Sequence, residues 1–90
     1  MVKLIFTQRY EKIVSKFLKK HPSIIEQYKK TLQLLELNPH HPSLRLHKLH
    51  GKLDGVHSVS INISYRITIE FIIQDDIIIP INVGTHDEVY

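Results

Sequence analysis

The sequence predicts an α+β fold in which two helices pack on a mainly antiparallel sheet, in the order β-α-α-β-β-β. Three observations predict it. Apolar residues recur at helical spacing in the first part of the chain, they alternate with a period of two in the second part, and Pro and Gly separate the segments. A chain of 90 residues is too short to divide into two packed cores, so we expect one domain over residues 1–90.

The first part predicts a short strand and a helical hairpin. The apolar segment 2–6 is the expected strand, and Thr7 follows it in a position to cap a helix. Pro22 ends the first helix and begins the second, because proline is tolerated only in the first turn of a helix. The second helix stops before Asn38-Pro39. The apolar stripes are Tyr10, Ile13, Val14, Phe17 and Leu18 on the first helix, and Ile25, Tyr28, Leu32 and Leu35 on the second.

The second part predicts strands. The loop 38–44 is followed by a short extended piece at 46–49 and by a turn that Gly51 and Gly55 bracket. The segment from His57 to Asn62 alternates apolar and polar residues. The strongest alternation runs from Tyr65 to Gln74 and places the apolar residues opposite Arg66, Thr68 and Glu70.

The last strand is expected at 77–83, after a turn at Asp75-Asp76. Pro80 lies inside it and has no N–H to donate, so it should sit at a bulge or face away from a neighbouring strand. Gly84 is expected to end the strand, which leaves the tail 85–90 at most one helical turn.

Composition excludes several classes of protein. The chain has no cysteine, which rules out disulfides, thiolate zinc sites and cysteine nucleophiles. No apolar run approaches the roughly 20 residues that cross a bilayer, and no secretory signal is present, so we expect a cytoplasmic protein without membrane contact. The histidines at 40, 41, 47 and 50 suggest a metal, but the segment reads as extended and no acidic or thiol ligand completes a set. We therefore predict no metal and no cofactor.

Charge is divided unevenly along the chain. Residues 1–52 carry eleven Lys or Arg against three acidic residues, a net charge of +8. Residues 53–90 carry one Arg against six acidic residues, a net charge of −5. A basic half suits nucleic acid, although lysine-rich helices can also serve solubility alone. Arg66, the single cation of the second half, is therefore the more informative residue.

Three short motifs narrow the choice of family. They are His47-x-Leu49-x-Gly51 leading into Gly55, Ser64-Tyr65-Arg66-Ile67, and Val83-Gly84-Thr85-His86-Asp87-Glu88-Val89-Tyr90. In this order and spacing they resemble the RelE/ParE toxin superfamily, and they are most similar to its YafQ-like members, over essentially the whole chain. The resemblance implies a toxin of a type II toxin–antitoxin system that cleaves mRNA on the ribosome. It also implies an acidic, partly disordered antitoxin that neutralises the toxin.

The resemblance, together with the chemistry of RNA cleavage, assigns three catalytic residues. Cleavage without metal needs a base, an acid and a cation that stabilises the phosphorane. His47 and His86 match motif histidines and are assigned to acid–base work; Arg66 is assigned to the scissile phosphate. Alternatively, His47 is a strand-edge histidine, His86 an exposed tail residue, and Arg66 the ion-pair partner of Glu70 or another carboxylate.

Four further residues are expected to contact RNA. Arg45, Lys48 and Lys52 flank His47 and suit phosphate groups irrespective of sequence. Tyr90 either stacks on a base or packs as a hydrophobic side chain against the sheet. The chain also departs from YafQ-like proteins, which often carry a further histidine, an acidic residue, a tryptophan and in some members a second arginine. The corresponding residues here are Ser60, Ser64, Tyr65 and Asn82.

Two other functions remain open at this point. One is a ParE-like gyrase poison, which shares the fold without the nuclease chemistry and usually lacks the histidine of the Gly84-Thr85-His86 motif. The other is a catalytically degenerate module that only binds an antitoxin. The sequence contains no pattern that predicts a codon or base preference.

Overall fold

The computed structural model describes residues 2–49 and 55–85. These residues contain two α-helices and five strands, joined by turns and loops. The helices are α1 (Gln8–Lys20) and α2 (Ile25–Leu37), and the strands are β1 (Lys3–Leu4), β2 (His47–Lys48), β3 (Val56–Ser60), β4 (Tyr65–Ile72) and β5 (Ile77–Thr85). The predicted order is confirmed with one addition, because the extended piece at 46–49 pairs in the sheet as β2.

The five strands form one sheet in the order β1-β5-β4-β3-β2. Every neighbouring pair is antiparallel except β1 and β5, which are parallel. Only Lys3 and Leu4 of the expected strand 2–6 pair with β5, in register with Ile77 and Ile78. The mainly antiparallel α+β architecture is therefore confirmed. Among the described residues, no helix is long and apolar enough to cross a membrane.

Helix α1 begins and ends where the sequence predicts. The Tyr10 N–H donates to the Thr7 hydroxyl over 3.1 Å, which is the expected N-cap. Tyr10 and Phe17 are buried on the sheet side, whereas the lysines lie on the exposed side. The helix ends at Lys20, and Pro22 starts a 3-10 turn that leads into α2.

Helix α2 presents a slightly different face from the one expected. The buried residues are Ile24, Tyr28, Thr31 and Leu35, while Ile25 and Leu32 are only half-buried. The 3-10 turn before α2 directs Ile24 into the core, and the steps of four, three and four residues from Ile24 then define the buried stripe. The predicted stripe was therefore wrong in placing Ile25 where Ile24 lies, and it missed Thr31.

A pair of tyrosines joins the two helices inside the core. The hydroxyls of Tyr10 and Tyr28 form a hydrogen bond of 2.8 Å. Burial raises the pKa of both phenols above the ordinary value. Both groups therefore stay protonated at neutral pH, and each satisfies the other's polar atom where water has no access.

The long strand β5 differs from expectation at its end. Gly84 does not terminate it, because Gly84 pairs with Arg66 and the strand continues to Thr85, opposite Tyr65. Glycine weakens a strand without preventing pairing, and here β4 supplies a partner as far as Tyr65. The prediction for Pro80 is confirmed: the register shifts beside it, so that Ile69 faces Pro80 while Thr68 faces Asn82.

The outer edge of β5 beyond its pairing with β1 offers few free donors. Pro80 has no N–H, and the Val83 N–H donates to the side-chain oxygen of Asn82 over 2.9 Å. Free N–H groups on a sheet edge are the positions at which another strand can add. The Asn82 side chain thus accepts one edge N–H, that of Val83, and removes it as a donor to another strand.

Gly55 and Asp76 have positive φ and lie in the turns that connect the strands. Gly55 has φ of 88° and accepts the Phe71 N–H over 2.8 Å, so the predicted turn residue anchors the start of β3. Asp76 has φ of 52° and follows a 3-10 turn at Ile73–Asp75, which together make the expected β4–β5 connection. Gly51 and the tail 86–90 lie outside the described residues.

Candidate functional site

The sheet has one face toward the helices and one face away from them. Ile67, Ile69 and Phe71 of β4 are buried in the core with α1 and α2. Arg66 and Glu70 therefore project from the opposite face, as the alternation predicts. We call this surface the open face, and it carries most of the candidate site.

A row of polar residues crosses the open face. The strand register aligns His47 with Ser58, Ser58 with Thr68, and Thr68 with Asn82. Arg66 lies two residues from Thr68 on the same face. Two strand spacings and two residues along the strand separate the Cα atoms of His47 and Arg66 by about 12 Å. Side chains of this length can approach one phosphodiester from that separation.

Arg66 and Arg45 line the same depression. Its volume is about 230 Å³, and its other lining residues are Ser43, Ser60, Ile61, Asn62 and Ile63. None of its described lining residues is a carboxylate. Arg66 makes no ion pair with Glu70; within ranges 2–49 and 55–85 the ion pair is between Lys29 and Glu26. Two guanidinium groups with no carboxylate among the described lining residues favour an anion through their positive potential.

Arg45 has an unusual backbone. Its φ and ψ are 50° and 45°, the left-handed region, at the end of the 3-10 turn Pro42–Leu44. Few residues other than glycine adopt this conformation, because the Cβ atom crowds the backbone. The turn directs the Arg45 side chain into the depression and its carbonyl oxygen toward His47.

His47 is oriented by that carbonyl group. The distance from His47 Nδ1 to the Arg45 oxygen is 3.1 Å. A carbonyl can only accept, so Nδ1 carries the proton, and Nε2 is the nitrogen that can take up or release a second one. His47 is exposed at the edge of the open face. Lys48, also exposed, pairs with His57 and by alternation points to the other face of β2.

Two hydroxyls at the centre of the open face stand out, although the sequence did not single them out. Ser58 and Thr68 are directly opposite each other and buried, and neither side-chain oxygen has a hydrogen-bond partner within the described residues. A buried hydroxyl without a partner costs about 1–3 kcal/mol. The alternation of β3 and β4 predicts their face, but only the register reveals their alignment with His47 and Asn82.

The residues that replace motif positions of YafQ-like proteins have structural roles here. Ser60 donates from its hydroxyl to the Asn62 carbonyl over 2.9 Å. The backbone N–H groups of Ser64 and Tyr65 both donate to Asn62 Oδ1 over 2.9 Å. The Tyr65 hydroxyl lies 3.1 Å from His21 Nδ1, on the helix side of the sheet. These positions therefore build the β3–β4 turn and its support.

Several predicted site residues fall outside the described chain. They are Lys52, His86 and Tyr90, together with His50 from the histidine cluster. The described part of β5 ends at Thr85, which pairs with the residue next to Arg66. Of the three predicted catalytic residues, His47 and Arg66 thus share the open face, and His86 stays a prediction.

His40, His41 and His47 are the described members of the histidine cluster. Among the described residues, no three His, Cys, Asp or Glu side chains come together as potential ligands. His41 Nδ1 accepts the Ser43 N–H over 3.1 Å. The His40 ring lies 6.1 Å from the Phe71 ring. Both side chains therefore have contacts of other kinds.

Comparison with known proteins identifies the fold. No family model matches the sequence, and no curated protein matches it. Solved structures do match, and they share the fold of this chain.

The E. coli DinJ-YafQ complex contains a chain that matches with a TM-score of 0.80 and 16% identity, over 100% of this chain and 99% of that one. A metal-bound toxin from Helicobacter pylori matches with a TM-score of 0.79 and 16% identity, over 100% of both chains. The YoeB-YefM complex from Staphylococcus aureus matches with a TM-score of 0.71 and 17% identity, over 96% of this chain and 98% of that one. At these identities the likeness establishes the RelE-like fold of YafQ-type toxins.

Proposed function

We propose that the chain is a toxin of a type II toxin–antitoxin system that cleaves mRNA on the ribosome without a metal. The observation that carries this proposal is the depression lined by Arg45 and Arg66, with no carboxylate among its described lining residues, on the face that also bears His47. The fold shared with YafQ and YoeB supports it. The resemblance of the three sequence motifs supports it independently.

The proposed reaction uses the 2′-hydroxyl of the message as the nucleophile. A general base removes its proton, and the oxygen attacks the adjacent phosphorus. The bond to the 5′-oxygen breaks, and a general acid protonates that leaving group. The products are a 2′,3′-cyclic phosphate and a 5′-hydroxyl, so that no water and no metal is consumed in this step. An extra negative charge develops on the phosphorane, and cations placed beside it lower the barrier.

The described residues suit these roles. Arg66 would hold the nonbridging oxygens of the phosphate, and Arg45 would neutralise the second charge that develops. His47 would use Nε2 for proton transfer, since its Nδ1 proton is held by the Arg45 carbonyl. His86 is proposed as the second acid–base group on the strength of its motif.

The proposed partners follow from charge. Lys52 would contact the message backbone, Tyr90 would stack on a base, and Lys48, exposed on the other face of β2, would contact ribosomal RNA. The basic first half of the chain suits an acidic antitoxin as well as RNA. The chain would act as one domain.

The test is cleavage of a defined message in a translation extract. We expect wild type to create new RNA ends within codons, and both Arg66→Gln and His86→Ala to lower the rate by at least about 100-fold. Arg9→Gln is a matched control, because it removes an exposed arginine from α1 and should leave cleavage unchanged.

Three outcomes would contradict the proposal. Equal RNA ends from wild type and His86→Ala would remove the catalytic role of that histidine. Inhibition of DNA supercoiling without RNA cleavage would favour a gyrase poison. Absence of growth arrest on expression would favour a module that only binds an antitoxin.

A further inference from the structure

The β3–β4 turn, residues 61–64, carries the most exposed large hydrophobic side chain of the described residues. Ile63 is 94% exposed, compared with 69% for Leu37 and 42% for Phe6. A single exposed apolar residue on a surface is ordinary. Ile63 differs because it lines the depression that holds Arg45 and Arg66. Its side chain therefore stands beside the proposed phosphate site and projects into solvent.

The turn that carries Ile63 is held rigidly. Asn62 Oδ1 accepts two backbone N–H groups, from Ser64 and Tyr65, each over 2.9 Å. Asn62 Nδ2 donates to Gln27 Oε1 over 3.0 Å, which ties the turn to α2. The Ser60 hydroxyl closes the other side through its bond to the Asn62 carbonyl. A turn fixed by side-chain bonds on both sides presents its apex in one place, so contact with it loses little entropy.

We propose that Ile63 is a fixed apolar contact for the nucleobase next to the phosphate that Arg66 holds. This inference rests on the proposed function and names how the same site positions single-stranded RNA. A phosphodiester at Arg45 and Arg66 places the neighbouring base within reach of the wall of the depression, where Ile63 is the exposed apolar group. A base that leaves the stack loses the contact of its apolar faces with the neighbouring bases. A side chain beside the phosphate site replaces part of that contact. Because every base has such a face, this contact favours an unstacked nucleotide without selecting a particular base.

Charge and position favour RNA as the occupant of the depression. Apart from Ile61, the described lining groups beside Ile63 are two guanidiniums, two hydroxyls and an amide, which suit a sugar–phosphate backbone better than an apolar peptide. A protein surface that bound Ile63 would instead be expected to bring a carboxylate for Arg66 and Arg45. That alternative is an outcome of the test below.

The experiment uses ribosomes programmed with a short synthetic message and measures cleavage as a function of toxin concentration. We expect Ile63→Ser to raise the toxin concentration for half-maximal cleavage roughly fivefold to tenfold, with little change in the rate at saturation. Ile63→Leu should restore the wild-type value. Leu37→Ser is the matched control, since it also removes an exposed apolar side chain and should have no effect.

A second message with an abasic nucleotide, placed in turn on each side of the cleaved bond, identifies the contact. At one of these positions, loss of the base should raise the concentration of wild type needed for half-maximal cleavage and leave that of Ile63→Ser nearly unchanged. Equal weakening of both proteins at each position would overturn the inference. If Ile63→Ser instead loses only the neutralisation by a purified antitoxin, Ile63 contacts protein and the inference is wrong.

Failure of the inference is distinguishable from failure of the proposed function. If Arg66→Gln abolishes cleavage while Ile63→Ser is unchanged, the phosphate site stands and only the base contact is rejected. If Arg66→Gln also cleaves normally, the proposed site itself is rejected.

Discussion

The buried pair Tyr10–Tyr28 allows a sharp test of what holds the helical hairpin together. Tyr10 is 1% exposed and Tyr28 is 6% exposed, and their hydroxyls bond over 2.8 Å. Tyr10→Phe leaves the Tyr28 hydroxyl without a partner, which should lower the free energy of unfolding by about 1–3 kcal/mol. Tyr28→Phe should cost at least as much, because the hydroxyl then left alone belongs to the more deeply buried Tyr10.

The double substitution should be less harmful than either single one. It removes both polar atoms together, so no buried hydroxyl is left unsatisfied, and the expected loss is about 1 kcal/mol or less. Urea denaturation of the four proteins measures the coupling directly. In a domain of this size each kcal/mol corresponds to about 4–8 °C in Tm. A loss in the double variant equal to the sum of the single losses would refute the argument that the hydroxyls satisfy each other.

Other predictions concern pH, capping, the open face and backbone strain. Burial raises the pKa of Tyr10 and Tyr28, so these groups add their full contribution to the free energy of unfolding below about pH 10. Above that pH the contribution is lost by up to about 1.4 kcal/mol per pH unit per group. Tyr10→Phe should flatten this alkaline decline in thermal melts. Thr7→Ala removes the α1 cap and should lower the free energy of unfolding by about 1 kcal/mol, whereas Thr7→Asn should retain it in urea titrations. Thr68→Val removes a buried hydroxyl without a partner and should leave Tm unchanged or raise it, so a clear fall would reveal a partner. Arg45→Gly relieves the left-handed backbone and should not destabilise the fold, while cleavage in the translation extract falls at least about tenfold.

The local features of the fold could be predicted from single residues. Thr7 caps α1 and Pro80 lies at a bulge, because hydroxyl capping and the missing proline N–H act within a few residues. The end of β5 could not be predicted in the same way. Gly84 stops a strand only when no neighbour pairs with it, and its pairing with Arg66 depends on β4, which is distant in sequence.

The site was predictable as a set of residue types and faces but not as an arrangement. Alternation correctly placed Arg66 opposite the core residues of β4. The alignment of His47 with Ser58 and Thr68 depends on register, and periodicity of two fits any even shift equally well. Lys48 was grouped with His47 because the two are adjacent in sequence, although adjacent residues of a strand point to opposite faces.

The outer edge of β5 limits how copies of the chain can meet. Pro80 contributes no N–H, and the Val83 N–H already donates to Asn82 Oδ1. A strand from a second molecule would have to give up successive bonds along this stretch, so continued edge-to-edge growth is disfavoured. When newly made chains collide, this edge therefore hinders the joining of their sheets edge to edge.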